Sequence, residues 1–77
     1  MKTVSDNSEY VVVYEKTPTG YSAYVPDLPG CISTGATLQD TKRSMQEAIG
    51  GHLAVMREFG DPIPLPTTVA ERIQVPA

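Results

Sequence analysis

The sequence predicts an α+β domain of order β-β-β-α-β, and three observations carry that prediction. Short runs rich in β-branched and aromatic residues, at 10–14 and 21–25, are followed by a brief run at 31–34, all separated by Pro- and Gly-containing turns. One helical stripe of apolar residues runs from about Leu38 to about Phe59. After it, residues 71–75 alternate like a strand, with Pro76 suited to a strand end. The first three strands should form an antiparallel meander with the helix across one face. A right-handed crossover through the helix then sets the last strand parallel to the first, giving a sheet order of 3-2-1-4.

Residues 1–8 are polar and aperiodic and are expected to be a flexible lead-in to a single domain spanning 1–77. Tyr10-Val11-Val12-Val13-Tyr14 reads as the first strand, and Lys16-Thr17-Pro18-Thr19-Gly20 as a hairpin loop. On the return strand Tyr21, Ala23 and Val25 share one face and should meet the core. The buried face of the first strand depends on register. A five-residue loop pairs Val11 and Val13 with Val25 and Ala23, whereas a four-residue loop turns Tyr10, Val12 and Tyr14 inward. The second is preferred because it leaves Glu15 outside.

The stretch from Tyr24 to Asp40 organises the rest. Pro26 and Pro29 push Val25 and Leu28 toward extended backbone, and Gly30 supplies the freedom for a tight corner. Leu28, the one apolar side chain between the prolines, should pin that corner to the core. Cys31 to Thr34 leave room for only a short strand before Gly35. Thr37-Leu38-Gln39-Asp40 then resembles a capping box.

The helix should be ~33 Å long, with Leu38, Met45, Ile49, His52, Leu53, Met56 and Phe59 in one stripe, Ala48 at its edge and Gly60 just past its end. Gly50-Gly51 costs the helix ~1 kcal/mol per residue relative to Ala. Those glycines face outward beside Ala54, so they mark either a tolerated weak spot or a flat patch where another backbone approaches. Residues 61–66 alternate Pro with apolar residues and should form a stiff extended strap holding Ile63 and Leu65.

Composition narrows the function. Seventy-seven residues make one small domain, which buries only about 60% of its unfolded surface and gains from a partner or a second copy. Six basic against nine acidic residues, net charge −3, do not make a phosphate-binding surface and suit a basic protein partner better. Cys31 is the only cysteine, so no internal disulfide or cysteine-based zinc site exists, and it reads as a small buried filler. No apolar run approaches the ~18 residues of a membrane span, and no signal-peptide core precedes the first strand, which points to a cytoplasmic protein.

Catalytic signatures are missing. There is no phosphate loop, no nucleophile elbow and no interleaving of aromatic with basic residues for stacking RNA. His52 is the sole histidine and has no partner at metal-ligand spacing, so it reads as a boundary residue. Glu15, Asp27, Glu47 and Glu71 could serve two-metal hydrolysis only if the fold brought them together. The sequence therefore predicts no enzyme, no cofactor and no metal.

GYSAYVPDLPGCISTGAT, then an amphipathic helix ending in FG, then DPIPLP, resembles the HicB-like antitoxin family of toxin–antitoxin systems across residues 10–75. Asp27-Leu28-Pro29-Gly30-Cys31 is the most specific piece. The resemblance implies a partial ribonuclease H-like β-β-β-α-β core. It also implies a partner, a small basic HicA-like RNA-cleaving toxin that the antitoxin of a type II pair neutralises by occluding its active-site surface. Ribonuclease H activity is not implied, because Val12 or a neighbouring valine stands where the first strand would need a carboxylate. Ala36, where relatives often carry an acid, is a smaller departure.

Many relatives continue into a DNA-binding module, for which 77 residues leave no room, so direct DNA binding is not expected. The alternative readings are a standalone oligomeric interaction domain and, third, a metal-dependent nuclease. Tyr24, Asp27 and Leu28 are the expected partner-facing or partner-shaping residues. Tyr24, Gly50, Gly51 and Ala54 are the expected contacts of a homodimer or higher homo-oligomer.

Overall fold

A computed structural model describes residues 9–76; the expected lead-in at 1–8 lies outside the described residues. The elements are β1 (Val13–Thr17), β2 (Gly20–Tyr24), β3 (Ile32–Gly35) and α1 (Leu38–Glu58). The three strands form an antiparallel meander in the order β1-β2-β3.

β1 and β2 pair Val13 with Tyr24, Tyr14 with Ala23 and Thr17 with Gly20, so the hairpin turns on Pro18-Thr19 alone. This is the register of the four-residue loop, with pairing continued one rung further. Its consequence follows from the period of two: Tyr10, Val12 and Tyr14 pack against the core, together with Ala23 and Val25. Glu15 is exposed. Strand pairing begins at Val13 rather than Tyr10, and residues 9–12 carry no ladder.

α1 starts where the capping pattern places it. The Thr37 hydroxyl accepts the Asp40 amide at 3.0 Å, satisfying one of the free donors of the first turn. At the other end Gly60, at φ +72°, lets the chain reverse. The Asp61 amide then donates to the Met56 carbonyl at 2.9 Å, and the Gly60 amide to Arg57 at 3.2 Å. This pair of bonds is a Schellman motif.

The core is small: Ala23, Val25, Leu28, Cys31 and Met45, with Ala48, Ile49 and Leu53 of α1 packed around them. The helical stripe is therefore narrower than the apolar pattern predicted. Leu38 and Phe59, at opposite ends of α1, are 49% and 73% exposed, because the sheet is shorter than the helix laid across it. Thr41 is fully buried instead. Its hydroxyl donates to the Thr37 carbonyl at 2.7 Å, which makes a polar residue acceptable there. Gly35 explains why it fits: a Cβ at that position would lie 2.5 Å from Thr41 Oγ1 and 2.7 Å from its backbone nitrogen.

The predicted fourth strand is not formed. Among the described residues, 61–76 contain no strand, Ile73 is 77% exposed, and the sheet order is β1-β2-β3 rather than 3-2-1-4. The ribonuclease H likeness implied by the resemblance depended on that strand and is not seen in these residues. A strand needs a neighbouring edge for its hydrogen bonds: Pro62, Pro64 and Pro66 keep the strap at 61–66 out of any ladder, and residues 71–75 have no strand partner among the described residues.

A candidate protein-binding surface at the Val25–Ile32 corner

Sequence places two prolines and a glycine between β2 and β3, and the backbone bonds show what they build. The Leu28 amide donates to the Val25 carbonyl (3.1 Å), the Cys31 amide to Leu28 (3.0 Å) and the Val25 amide to Cys31 (3.2 Å). Two successive tight turns thus fold Leu28 inward until none of it is exposed. Leu28 can shape a surface here, not touch a partner. Cys31 is buried beside it, and burial raises its thiol pKa.

Asp27, on the outside of the same corner, is the most heavily hydrogen-bonded side chain there. Its carboxylate accepts the backbone amides of Thr67 and Thr68 at 3.2 and 3.0 Å, and their hydroxyls at 3.1 and 2.9 Å. These bonds, led by the Thr68 amide, hold the Asp27 pKa below the usual carboxylate value, against a smaller opposing effect of desolvation. Nearby, the Tyr10 hydroxyl donates to the Pro64 carbonyl. Burial, then the Asp27 charge, raises the Tyr10 pKa, with Arg57 opposing. The strap is thereby tied to the sheet at two points, Pro64 and Thr67-Thr68.

Tyr24 lies on the face of the sheet away from α1. The pairing sets Val13, Tyr24 and Ile32 side by side across all three strands. Tyr24 is 40% and Ile32 69% exposed and Val13 is half-buried, so among the described residues this row is an open apolar stripe. Ile32 was not singled out from the sequence. Its place in the row depends on the β2–β3 register, which the Pro-Gly corner decides.

Gly50, Gly51 and Ala54 are all exposed, and a Cβ at either glycine would meet nothing within 4 Å. Among the described residues, no other backbone comes within 4 Å of that point at Gly50 or Gly51. Gly51 also borders an open groove of about 700 Å³ between α1 and the corner, shared with Ile32, His52, Val55 and Met56. Through Ile32 the groove adjoins the apolar row, so the two patches expected from sequence meet at one residue. His52 is half-buried on its wall.

The acidic residues do not converge. Among the described residues, no three of His, Cys, Asp and Glu lie close enough to hold a metal ion. No described helix is long and apolar enough to cross a membrane. The arrangement brings together an apolar row, a groove and a clamped strap.

Residues 10–77 match the family model described as HicB_like antitoxin of bacterial toxin-antitoxin system. Over 67 residues the chain is 36% identical to a 14.9 kDa protein from the rep-hol intergenic region of Haemophilus phage HP1, covering 87% of this chain and 50% of the phage protein. It is 33% identical over 76 residues to a UPF0150 protein of Thermotoga maritima, covering 97% of each. The chain thus spans half the length of the phage relative and nearly all of the Thermotoga one. Among solved structures, a chain of a HicA3 and HicB3 toxin-antitoxin complex superposes with a TM-score of 0.68 at 32% identity, covering 78% of this chain and 70% of that one.

Proposed function

The chain belongs to the HicB-like antitoxin family of bacterial toxin–antitoxin systems, and from that premise we propose that it neutralises a HicA-like RNA-cleaving toxin by covering the toxin's active-site surface. The observation that carries this reading is the uncovered row Val13–Tyr24–Ile32 on the open face of the sheet. A protein of net charge −3 that leaves such a row open suits a basic partner with an apolar contact area. The likeness to a chain of a HicA3 and HicB3 complex supports a HicA-like partner.

In this proposal Tyr24 contacts the toxin directly. Asp27 and Leu28 shape the corner beside it, Leu28 from below and Asp27 by holding the strap. The protein acts by occupancy, without a catalytic step of its own. The test is inhibition of toxin-catalysed RNA cleavage by the purified chain. Wild type should suppress cleavage at equimolar ratio, whereas Tyr24→Glu should need at least ~10-fold more protein, since a buried charge replaces an aromatic anchor. Undiminished cleavage at tenfold molar excess of wild type, with the toxin encoded beside this chain, would overturn the reading.

A second reading, a standalone oligomeric interaction domain, draws on the exposed Gly50-Gly51-Ala54 surface beside the groove. It would have Tyr24 and these residues meeting a second copy rather than a toxin. Self-association abolished by Gly51→Leu, together with no toxin binding, would favour it.

A further inference from the structure

The tail of the chain and the free edge of its sheet have matching patterns that the chain cannot itself join. Val69, Ile73 and Val75 are 87%, 77% and 81% exposed, and residues 69–76 form no strand. Yet Glu71-Arg72-Ile73-Gln74-Val75 alternates as a strand does. β1 lies at the sheet edge, with one side paired to β2 and the other open among the described residues.

We propose that residues 71–75 of one copy add as an antiparallel strand to the β1 edge of a second copy, reciprocally, making a closed strand-exchanged dimer. One register matches every position. Set Lys16 opposite Glu71, and Glu15 falls opposite Arg72, Tyr14 opposite Ile73, Val13 opposite Gln74 and Val12 opposite Val75. Both charge pairs are then of opposite sign, which favours directly facing residues. Ile73 and Val75 fall on the side of Tyr14 and Val12, the side that already packs on the core. Each donor apolar residue would thus extend the core cluster, and the polar Gln74 would face outward beside Val13.

A second copy must supply that strand because of the Asp27 clamp. Asp27 follows Tyr24, which pairs with Val13, so Thr68 is anchored at the end of the sheet where β1 begins. From Thr68 to Glu71 the chain spans at most ~11 Å. Climbing from Val13 to Lys16 takes ~10 Å, and crossing from the line of β2, which Asp27 continues, to the far side of β1 takes two strand spacings of ~5 Å at right angles to it, about 14 Å in all. The tail of the same chain can follow β1 only in parallel. With Ile73 beside Tyr14, that direction sets Arg72 beside Val13 and Val75 beside Lys16, losing the match. Among the described residues this donor and this acceptor each occur once, so two copies satisfy each other and the assembly closes.

The exchange leaves the Val13–Tyr24–Ile32 face open, so it does not depend on toxin binding. The test is light scattering on the purified full chain without toxin, at about 10 to 300 μM, a range bracketing the micromolar dissociation constants common for small interfaces. The expected mass is twice 8.3 kDa. Ile73→Glu should give 8.3 kDa with unchanged helical circular dichroism, since that side chain is exposed within its own chain. Lys16→Glu and Glu71→Lys should each weaken self-association about tenfold, and an equimolar mixture of the two should restore it, because every facing pair is again of opposite sign. Glu15→Cys chains mixed with Arg72→Cys chains should form a disulfide heterodimer. A wild-type mass of 8.3 kDa throughout, a dimer unaffected by Ile73→Glu, or no recovery on mixing the charge variants would each overturn the proposal.

Discussion

The Asp27 carboxylate accepts both the backbone amide and the hydroxyl of Thr68, at 3.0 and 2.9 Å, although the two residues lie 41 positions apart. With the matching pair of bonds from Thr67, this makes the corner between β2 and β3 the anchor of the strap after α1. A carboxylate with two acceptor oxygens can serve four donors at once; a neutral amide cannot.

Asp27→Asn should therefore free the strap without unfolding the sheet or helix. The amides of Thr67 and Thr68 should exchange with deuterium at least ~10-fold faster than in wild type, while Met45 and Leu53 amides keep their protection. Unchanged exchange at Thr67 and Thr68 would show that the strap is held by other contacts.

Acid should release the same clamp. The Asp27 pKa is lowered in the folded protein, so its stabilising effect is fully present above the ordinary aspartate value of 3.8 and is lost as pH falls through the lower folded value. The Thr68 amide proton shift should titrate with a midpoint below 3.8. In Asp27→Asn that titration should vanish.

Gly35→Ala should destabilise the protein by about 1–3 kcal/mol in urea unfolding. The added methyl would sit 2.7 Å from the Thr41 nitrogen, which belongs to helix backbone and cannot swing aside. Gly50→Ala is the contrast. Its methyl meets nothing within 4 Å and replaces the worse helix former, so stability should rise by up to about 1 kcal/mol.

Leu28→Ala should cost about 2–5 kcal/mol, the range for emptying a fully buried leucine site. Leu38→Ala, in the apolar stripe expected for the helix but 49% exposed, should cost less than ~1 kcal/mol. Equal losses at the two positions would mean that Leu38 is covered in solution, for instance by another chain.

Much of the candidate site was legible beforehand, though unevenly. Leu28 is buried as the proline pair predicted, because an apolar residue locked between two turns has nowhere else to go. Tyr24 lies on the open face as strand alternation required. Thr67 and Thr68 were not visible as partners of Asp27, since nothing local links a carboxylate to donors 40 and 41 residues later. Ile32 was missed because its face depends on how many residues the corner consumes. Thr41 was missed because its burial requires Gly35 to come within contact distance, and composition alone ranks threonine as a surface residue.

The sequence by itself determined the elements whose causes are local. The Thr37 cap, the Gly60 stop, the helix between them and the Pro-Gly corner all follow from backbone preferences acting over a few residues. For β1 it left two registers open, with the charge of Glu15 favouring the one the structure adopts. Tertiary structure alone decided where the last segment goes. Residues 71–75 carry a strand's alternation, but a strand exists only when a second edge supplies its hydrogen bonds, and among the described residues no edge does so for this segment.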